Sequence, residues 1–104
     1  MKSLRKTNGR GHILNLLKND LSHMKNAYGV KKLALFGSSA RGSQKRTRDI
    51  DILVEFKTGC KTFDNYMDLK FFLEDMFRRK IDLVIKDALR RELKPSIMSD
   101  AIYV

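Results

Sequence analysis

The chain has 104 residues, of which 42% are hydrophobic, and it carries a formal net charge of +10. This length and composition are typical of one globular domain with a single core, which excludes two domains and wholesale disorder. No apolar run approaches the roughly 20 residues of a membrane span, and the basic start Met1–Gly11 lacks the apolar segment of a secretory signal.

The positive charge does not identify a partner by itself. A strongly basic small protein can bind nucleic acid, an acidic protein surface or a polyphosphate ligand. Apart from the amino terminus, the basic residues are spread over Lys45–Arg48, Arg78–Lys80 and Arg90–Arg91, which is more typical of a solvated surface than of a nucleic-acid interface. The single cysteine, Cys60, cannot form an internal disulfide, and together with the missing signal this favours the cytoplasm.

The composition of Met1–Gly11, with Asn8, Gly9 and Gly11 among basic residues, predicts a mobile arm, and residues 12–104 are predicted to form a single domain. The predicted elements are, in order, a helix His12–Tyr28 ended by Gly29, a strand Lys32–Phe36, a short helix from Ser38 to Gly42, a basic loop Ser43–Arg48, a strand Asp49–Phe56, an amphipathic helix Asp64–Arg79, a strand Ile81–Ile85, a short helix Asp87–Leu93 and a last helix from Pro95 to the end. The order α-β-α-β-α-β-α predicts an α/β fold in which helices flank a three-stranded sheet.

Two aspartates stand in the second predicted strand. Successive side chains of a strand point to opposite faces, so Asp49 and Asp51 share a face. Two carboxylates about 7 Å apart are costly to desolvate unless a cation lies between them, and Mg²⁺ prefers such oxygen ligands. Asp82 interrupts the third strand and would complete a three-carboxylate cluster if that strand lies beside the second. The alternative is that each aspartate marks the exposed entrance of a strand.

The turn after the first strand has the composition of a phosphate-binding loop. Gly37 allows a ligand to approach the backbone, and the N–H groups that open the following helix lack intrahelical acceptors. A phosphate there would also meet the Ser38 hydroxyl, and Arg41 could add a guanidinium group. The alternative is an ordinary strand-to-helix junction with Ser38 as N-cap. A phosphate-binding turn close to a carboxylate cluster indicates metal-assisted phosphoryl or nucleotidyl transfer.

The segments Gly37–Gly42 (GSSARG) and Asp49–Val54 (DIDILV) resemble the G-S-x-A-R-G…D-x-D signature of polymerase-beta-like nucleotidyltransferases, and the short chain resembles their minimal, MNT-type members. This resemblance implies a mixed three-stranded sheet and transfer of AMP from ATP, with two Mg²⁺ ions. The implied site residues are Gly37, Ser38 and Arg41 for the nucleotide, Asp49 and Asp51 for the metals, and Asp82 as the acceptor-side metal ligand that helps to take the acceptor's proton.

The resemblance also implies a partner. Small members of this kind resemble antitoxins that AMPylate a tyrosine of a HEPN-type toxin, so a hetero-oligomer or a homodimer is expected, without any membrane role. Arg48 departs from the family pattern, where serine often stands, and adds positive charge near the triphosphate or an acidic partner. Two alternatives remain: a small-molecule, antibiotic-type nucleotidyltransferase, and a non-catalytic subunit that uses its charge to bind a partner or nucleic acid.

Overall fold

The structure is a computed structural model that describes residues 9–42 and 49–104. The helices are α1 (Arg10–Asn19), α2 (Leu21–Tyr28), α3 (Gly37–Arg41), α4 (Phe63–Phe77) and α5 (Lys94–Asp100). The strands are β1 (Val30–Leu35), β2 (Ile50–Phe56), β3 (Ile81–Ile85) and β4 (Ile102–Tyr103). The predicted loop Ser43–Arg48 and residues 1–8 of the predicted arm lie outside the described residues. In the described ranges, none of these helices has the length and apolar character needed to cross a membrane.

The strands form one mixed sheet in the order β3-β2-β1-β4. Strand β1 runs antiparallel to β2 and β4, whereas β2 and β3 are parallel and are joined through α4. The α/β fold is therefore confirmed. The prediction of three strands is wrong, because the sheet also contains the short fourth strand β4. That strand forms because Ala101 leaves the helix in an extended conformation and the β-favouring pair Ile102–Tyr103 then pairs with β1.

One face of the sheet carries the main core. The alternation predicted for β2 is seen, because Ile50, Ile52 and Val54 are fully buried there. This face packs against α1, α2 and α4 through fully buried apolar side chains, namely Ile13, Leu17, Met24, Leu69 and Leu73. Burial of such side chains is the main source of stability in a domain of this size.

The opposite face is covered less completely. A smaller cluster of Ala34, Phe36 and Leu53 packs there against apolar residues of α5. Because side chains alternate along a strand, Asp51 and Asp82 project from this same face, next to Leu53. The helix-covered face thus holds the fold together, while the partly open face presents the acidic side chains.

The predicted helix His12–Tyr28 is two helices and begins earlier than expected. At Asp20 the backbone leaves the helical region (φ −105°, ψ 10°), because aspartate hydrogen-bonds easily outside helices and Asn19 before it is also a weak helix former. Gly29 ends α2 with φ +71°, as predicted. Arg10 belongs to α1 rather than to a mobile arm, and its Nη1 donates to the Ala40 carbonyl at 2.9 Å.

Two further predictions near the carboxyl end are wrong. The expected helix Asp87–Leu93 is a 3₁₀ turn at Lys86–Ala88 followed by irregular backbone. Most side chains of this segment are exposed, so little apolar surface is available to stabilise a helix by packing. The last helix, α5, does contain Pro95 in its first turn, but it ends at Asp100 instead of continuing to the last residue.

Candidate active site

The parallel pairing of β2 and β3 places two of the predicted aspartates side by side. Asp51 and Asp82 are direct register partners, on strands that lie about 4.8 Å apart. Both stand near the start of their strands, Asp51 half-buried and Asp82 exposed. Asp49 immediately precedes β2 and is exposed. The three carboxylates therefore lie at one end of the sheet, around the beginning of the parallel pair.

The electrostatics of Asp51 reflect these neighbours. Its pKa is raised above 3.8, first by burial of the carboxyl group and then by the negative charges of Asp82 and Asp49. A hydrogen bond from the backbone of Ser39 and the positive charge of Arg41 act in the opposite direction. Because like charges raise a carboxyl pKa only at short range, the three aspartates are close enough to repel one another.

The carboxylates are not gathered into a ready-made metal cage. Within residues 9–42 and 49–104, no three Asp, Glu, His or Cys side chains are arranged so that they could hold a metal ion. The sequence analysis expected all three aspartates to converge on one metal site. In the structure they lie close enough to repel one another, but they do not form a complete set of metal ligands. The donor chemistry still fits Mg²⁺, because carboxylate oxygens are its preferred protein ligands and a cation would relieve the repulsion on Asp51.

The predicted glycine turn lies directly against Asp51. Helix α3 begins at Gly37, whose φ of +59° favours glycine. A Cβ atom built on Gly37 would lie 3.0 Å from Oδ2 of Asp51, so a larger residue would press on that carboxylate. The structure also rejects one alternative: Ser38 is not the N-cap of α3, because that position is held by Phe36 and no side chain caps the helix.

The sequence analysis missed the hydroxyl that joins α3 to β2. Ser39 is fully buried, and its Oγ accepts a hydrogen bond from the Asp51 backbone N–H at 2.9 Å. The Phe36 N–H donates in turn to the Asp51 carbonyl at 3.2 Å. These two bonds fix the backbone of Asp51 on both sides. The signal in the sequence was weak, since Ser39 occupies the variable position of the GSSARG segment.

Arg41 lies near the carboxylates but is held by an ion pair. Its Nη1 lies 2.6 Å from Oδ2 of Asp100, at the end of α5, and the Arg41 side chain is 56% exposed. Sequence reasoning did not identify Asp100, because a contact between residues 59 positions apart has no local signature. One guanidinium nitrogen is thus occupied by Asp100, whereas the group has five N–H donors in total.

Comparison with known proteins agrees with this geometry. The profile of the nucleotidyltransferase domain family matches residues 14–104. A candidate protein adenylyltransferase of Methanocaldococcus jannaschii is 40% identical over 94 residues, which are 88% of this chain and 94% of the relative. A solved structure of a candidate minimal nucleotidyltransferase superposes with a TM-score of 0.67 and 29% identity, and covers 89% of this chain and 86% of that one.

A toxin–antitoxin structure determined with AMP-PNP shares the fold. It superposes with a TM-score of 0.66 at 22% identity, over 83% of this chain and 70% of that one. At this level of identity the likeness concerns the backbone architecture alone. The two chains therefore share a fold.

Proposed function

The chain belongs to the nucleotidyltransferase domain family, and from this membership we propose that it transfers AMP from ATP to an acceptor hydroxyl with the help of Mg²⁺. The observation that carries the proposal is the in-register placement of Asp51 and Asp82 beside the first turn of α3. The name of the Methanocaldococcus jannaschii relative, a candidate protein adenylyltransferase, supports a protein as the acceptor.

Asp49, Asp51 and Asp82 are the residues that would hold the metal, with two ions expected. When bound, Mg²⁺ supplies positive charge that offsets the charge of the carboxylates and the charge that develops on the phosphate during transfer. Asp51 is central in this arrangement because its backbone is fixed by the hydrogen bond to Ser39. Its carboxylate also interacts with the charges of both other aspartates and lies against Gly37 at the start of α3.

The nucleotide side of the site is the start of α3. The N–H groups that open a helix have no intrahelical acceptor and suit phosphate oxygens. Gly37 carries no side chain that would separate a phosphate from this backbone, and the hydroxyl of Ser38 adds a donor. Arg41 is the weaker assignment, since its guanidinium also serves Asp100. Together these groups bind and orient the triphosphate so that its α-phosphate faces Asp51.

The acceptor side is the edge strand β3. Asp82 is exposed there and stands next to Asp51, so it can take the proton of an incoming hydroxyl group. The acceptor oxygen forms a bond to the α-phosphorus of ATP, the bond from that phosphorus to the bridging oxygen breaks, and pyrophosphate leaves. The products are the AMP ester of the acceptor and pyrophosphate, with the released proton on Asp82.

A tyrosine of a HEPN-type toxin is the acceptor that fits best. The fold is shared with the protein in a toxin–antitoxin structure containing AMP-PNP, and the minimal size matches a solved minimal nucleotidyltransferase over most of both chains. An acceptor supplied by a partner protein also agrees with the name of the Methanocaldococcus jannaschii relative, a candidate protein adenylyltransferase.

A small-molecule acceptor has less support. A cavity of about 360 Å³ lies between α4 and the end of β3, and its lining includes Phe63, Tyr66 and Ile85. It therefore opens at the opposite end of β3 from Asp82, three residues further along the strand. A small acceptor bound there would lie toward the far end of β3. The Tyr66 hydroxyl in the lining is nevertheless close enough to Asp82 that its pKa is raised first by burial and then by that negative charge.

The proposal is tested by the intact mass of a co-expressed HEPN-type partner after incubation with ATP and Mg²⁺. We expect the wild-type protein to add the mass of AMP to the partner. The Asp49→Ala variant should add none, because the site loses one metal ligand. Asp49 is exposed and immediately precedes β2, so this variant should unfold at nearly the same temperature as the wild type.

Two results would contradict the proposal. One is an unmodified partner with the wild-type protein, ATP and Mg²⁺ all present. The other is equal modification by the wild type and Asp49→Ala, which would mean that transfer does not depend on the carboxylates. If the wild-type protein does modify the partner, tryptic mapping would identify the acceptor side chain and decide whether it is tyrosine.

A further inference from the structure

We propose that a basic groove at the junction of α4 and β3 binds an acidic segment of the acceptor protein and so presents its hydroxyl group to Asp82. This inference rests on the proposed transfer to a protein and adds the chemical class of the acceptor. The junction groove is a depression of about 290 Å³ lined by Glu74, Arg78, Arg79 and Lys80. Nothing in the proposed transfer chemistry uses these four side chains.

The junction groove carries net positive charge. Among the residues that the structure describes, three of the four lining side chains are cationic. The fourth, Glu74, is engaged with the protein itself, because its Oε2 accepts a hydrogen bond from the Ile81 N–H at 3.3 Å. Arg78 is 83% exposed and lies 3.9 Å from an equally exposed Asp75, a contact that contributes little in water. An acidic ligand would therefore meet, at Arg78, a cation that is only weakly compensated.

The position of the groove assigns it to the acceptor side. Lys80 immediately precedes β3, and its carbonyl accepts a hydrogen bond from the Ile50 N–H at 3.0 Å. The groove consequently lies at the end of the sheet where β2 and β3 begin, two residues before Asp82. Helix α3 follows β1, on the other side of β2. In the order of the sheet, β2 with Asp51 thus lies between the strand that leads into α3 and the strand that follows the groove.

An acidic protein segment fits the groove better than the other anions available. The triphosphate is proposed to bind at α3, across β2 from the groove. Nucleic acid binding usually requires basic side chains along several successive phosphates, whereas the groove is one compact cluster of cations on a turn. A short run of Asp and Glu beside the acceptor hydroxyl would fill it, and the net charge of +10 would speed the encounter with an acidic partner.

The test measures binding of a fluorescent random copolymer of glutamate and tyrosine by anisotropy, without ATP or Mg²⁺. The groove variant is Arg78→Asp with Lys80→Glu. Aspartate is chosen at position 78 because the backbone there has φ +55°, which aspartate tolerates. The matched control is Lys31→Glu with Lys57→Glu, two exposed lysines at the opposite end of the sheet. Both double variants lower the net charge by the same amount.

We expect the groove variant to bind the copolymer about tenfold or more weakly at low salt, and the control to stay within about threefold of the wild type. Equal losses in the two variants would overturn the proposal, since binding would then follow net charge alone. The proposal would also be overturned if the wild type bound a single-stranded oligothymidylate more tightly than the copolymer and only the groove variant lost this binding. The groove would then be a nucleic-acid site.

The same variants separate this inference from the proposed function. Binding of ATP in the presence of Mg²⁺ should be unchanged in the groove variant, and a loss there would assign the groove to the triphosphate and overturn the inference. Because copolymer binding needs no catalysis, it tests the groove even if AMP transfer fails. Conversely, transfer to a partner that is equal in the wild type and the groove variant would overturn the inference while the enzyme proposal stands.

Discussion

Asp51 is the residue at which stability and the proposed function oppose each other. Its carboxyl pKa is raised by burial and by two neighbouring carboxylates, which means that the charged form is disfavoured in the folded protein. A residue placed only for stability would not keep such a charge beside Asp82. The repulsion between Asp51 and its acidic neighbours has a use if a cation binds there, because the same repulsion then favours metal binding.

Replacing Asp51 by Asn is expected to raise the melting temperature near neutral pH. The folded-state pKa of Asp51 lies above 3.8, so the native state holds this proton more tightly than the unfolded chain does. Stability is therefore lost as the pH rises from 3.8 through the folded pKa, and the penalty is fully present at higher pH. The gain from Asp51→Asn should be seen by thermal unfolding at pH 7 and should vanish below pH 3.8. A lower melting temperature at pH 7 would contradict it.

Gly37 is predicted to tolerate no larger side chain. Gly37→Ala meets Oδ2 of Asp51 at 3.0 Å and places a Cβ at φ +59°, which costs about 1–2 kcal/mol in backbone strain alone. We expect a lower melting temperature and loss of AMP transfer, because Asp51 must move. Thermal unfolding measures the melting temperature, and the intact mass of the partner protein measures AMP transfer by the same preparation of the variant.

Gly59 provides the matched control for this substitution. Its φ is +81° and an added Cβ would meet nothing within 4 Å, in a turn beyond the far end of β2. Gly59→Ala should therefore lower the free energy of unfolding by a similar amount, through backbone strain alone, and should leave AMP transfer intact. If the two variants lose transfer to the same extent, the loss reflects general instability and the proposed role of Gly37 is wrong.

At the scale of the element, α3 depends on its surroundings. A helix of five residues is far too short to be stable alone. It is held to α1 by the Arg10–Ala40 hydrogen bond, to β2 by Ser39 and to α5 by the Arg41–Asp100 ion pair. The glycine turn that opens α3 is therefore placed by tertiary contacts from three directions, and its own sequence sets only the local bend.

The Ser39 contact can be tested directly. Ser39→Ala removes the acceptor of the Asp51 N–H at a fully buried position, and such a loss costs about 1–3 kcal/mol. We expect a lower melting temperature and a lower kcat for AMP transfer, because Asp51 loses its fixed backbone. The control is Ser99→Ala, which removes an exposed hydroxyl bonded to the Ser96 carbonyl and should change neither quantity. Unchanged stability in Ser39→Ala would contradict the buried hydrogen bond.

At the scale of the whole molecule, the sequence was informative wherever chemistry is local. Alternation in β2 predicted its buried face, and the glycine-rich turn predicted the start of α3 to within one residue. Ser39 and Asp100 were missed because their roles depend on which distant elements they touch. The last strand, β4, was missed for a similar reason: two residues carry little pattern, and they become a strand only because β1 offers them an unpaired edge.

The parallel pairing of β2 with β3 has a consequence for how the protein reaches its working state. Neighbouring antiparallel strands can pair early, but parallel strands need the whole crossover helix α4 to be in place first. Asp82 therefore arrives beside Asp51 only when the long connection has closed. Partly folded or prematurely released chains would hold the glycine turn and the first two aspartates but would lack Asp82 beside them. The arrangement of three aspartates therefore appears only with a completed fold.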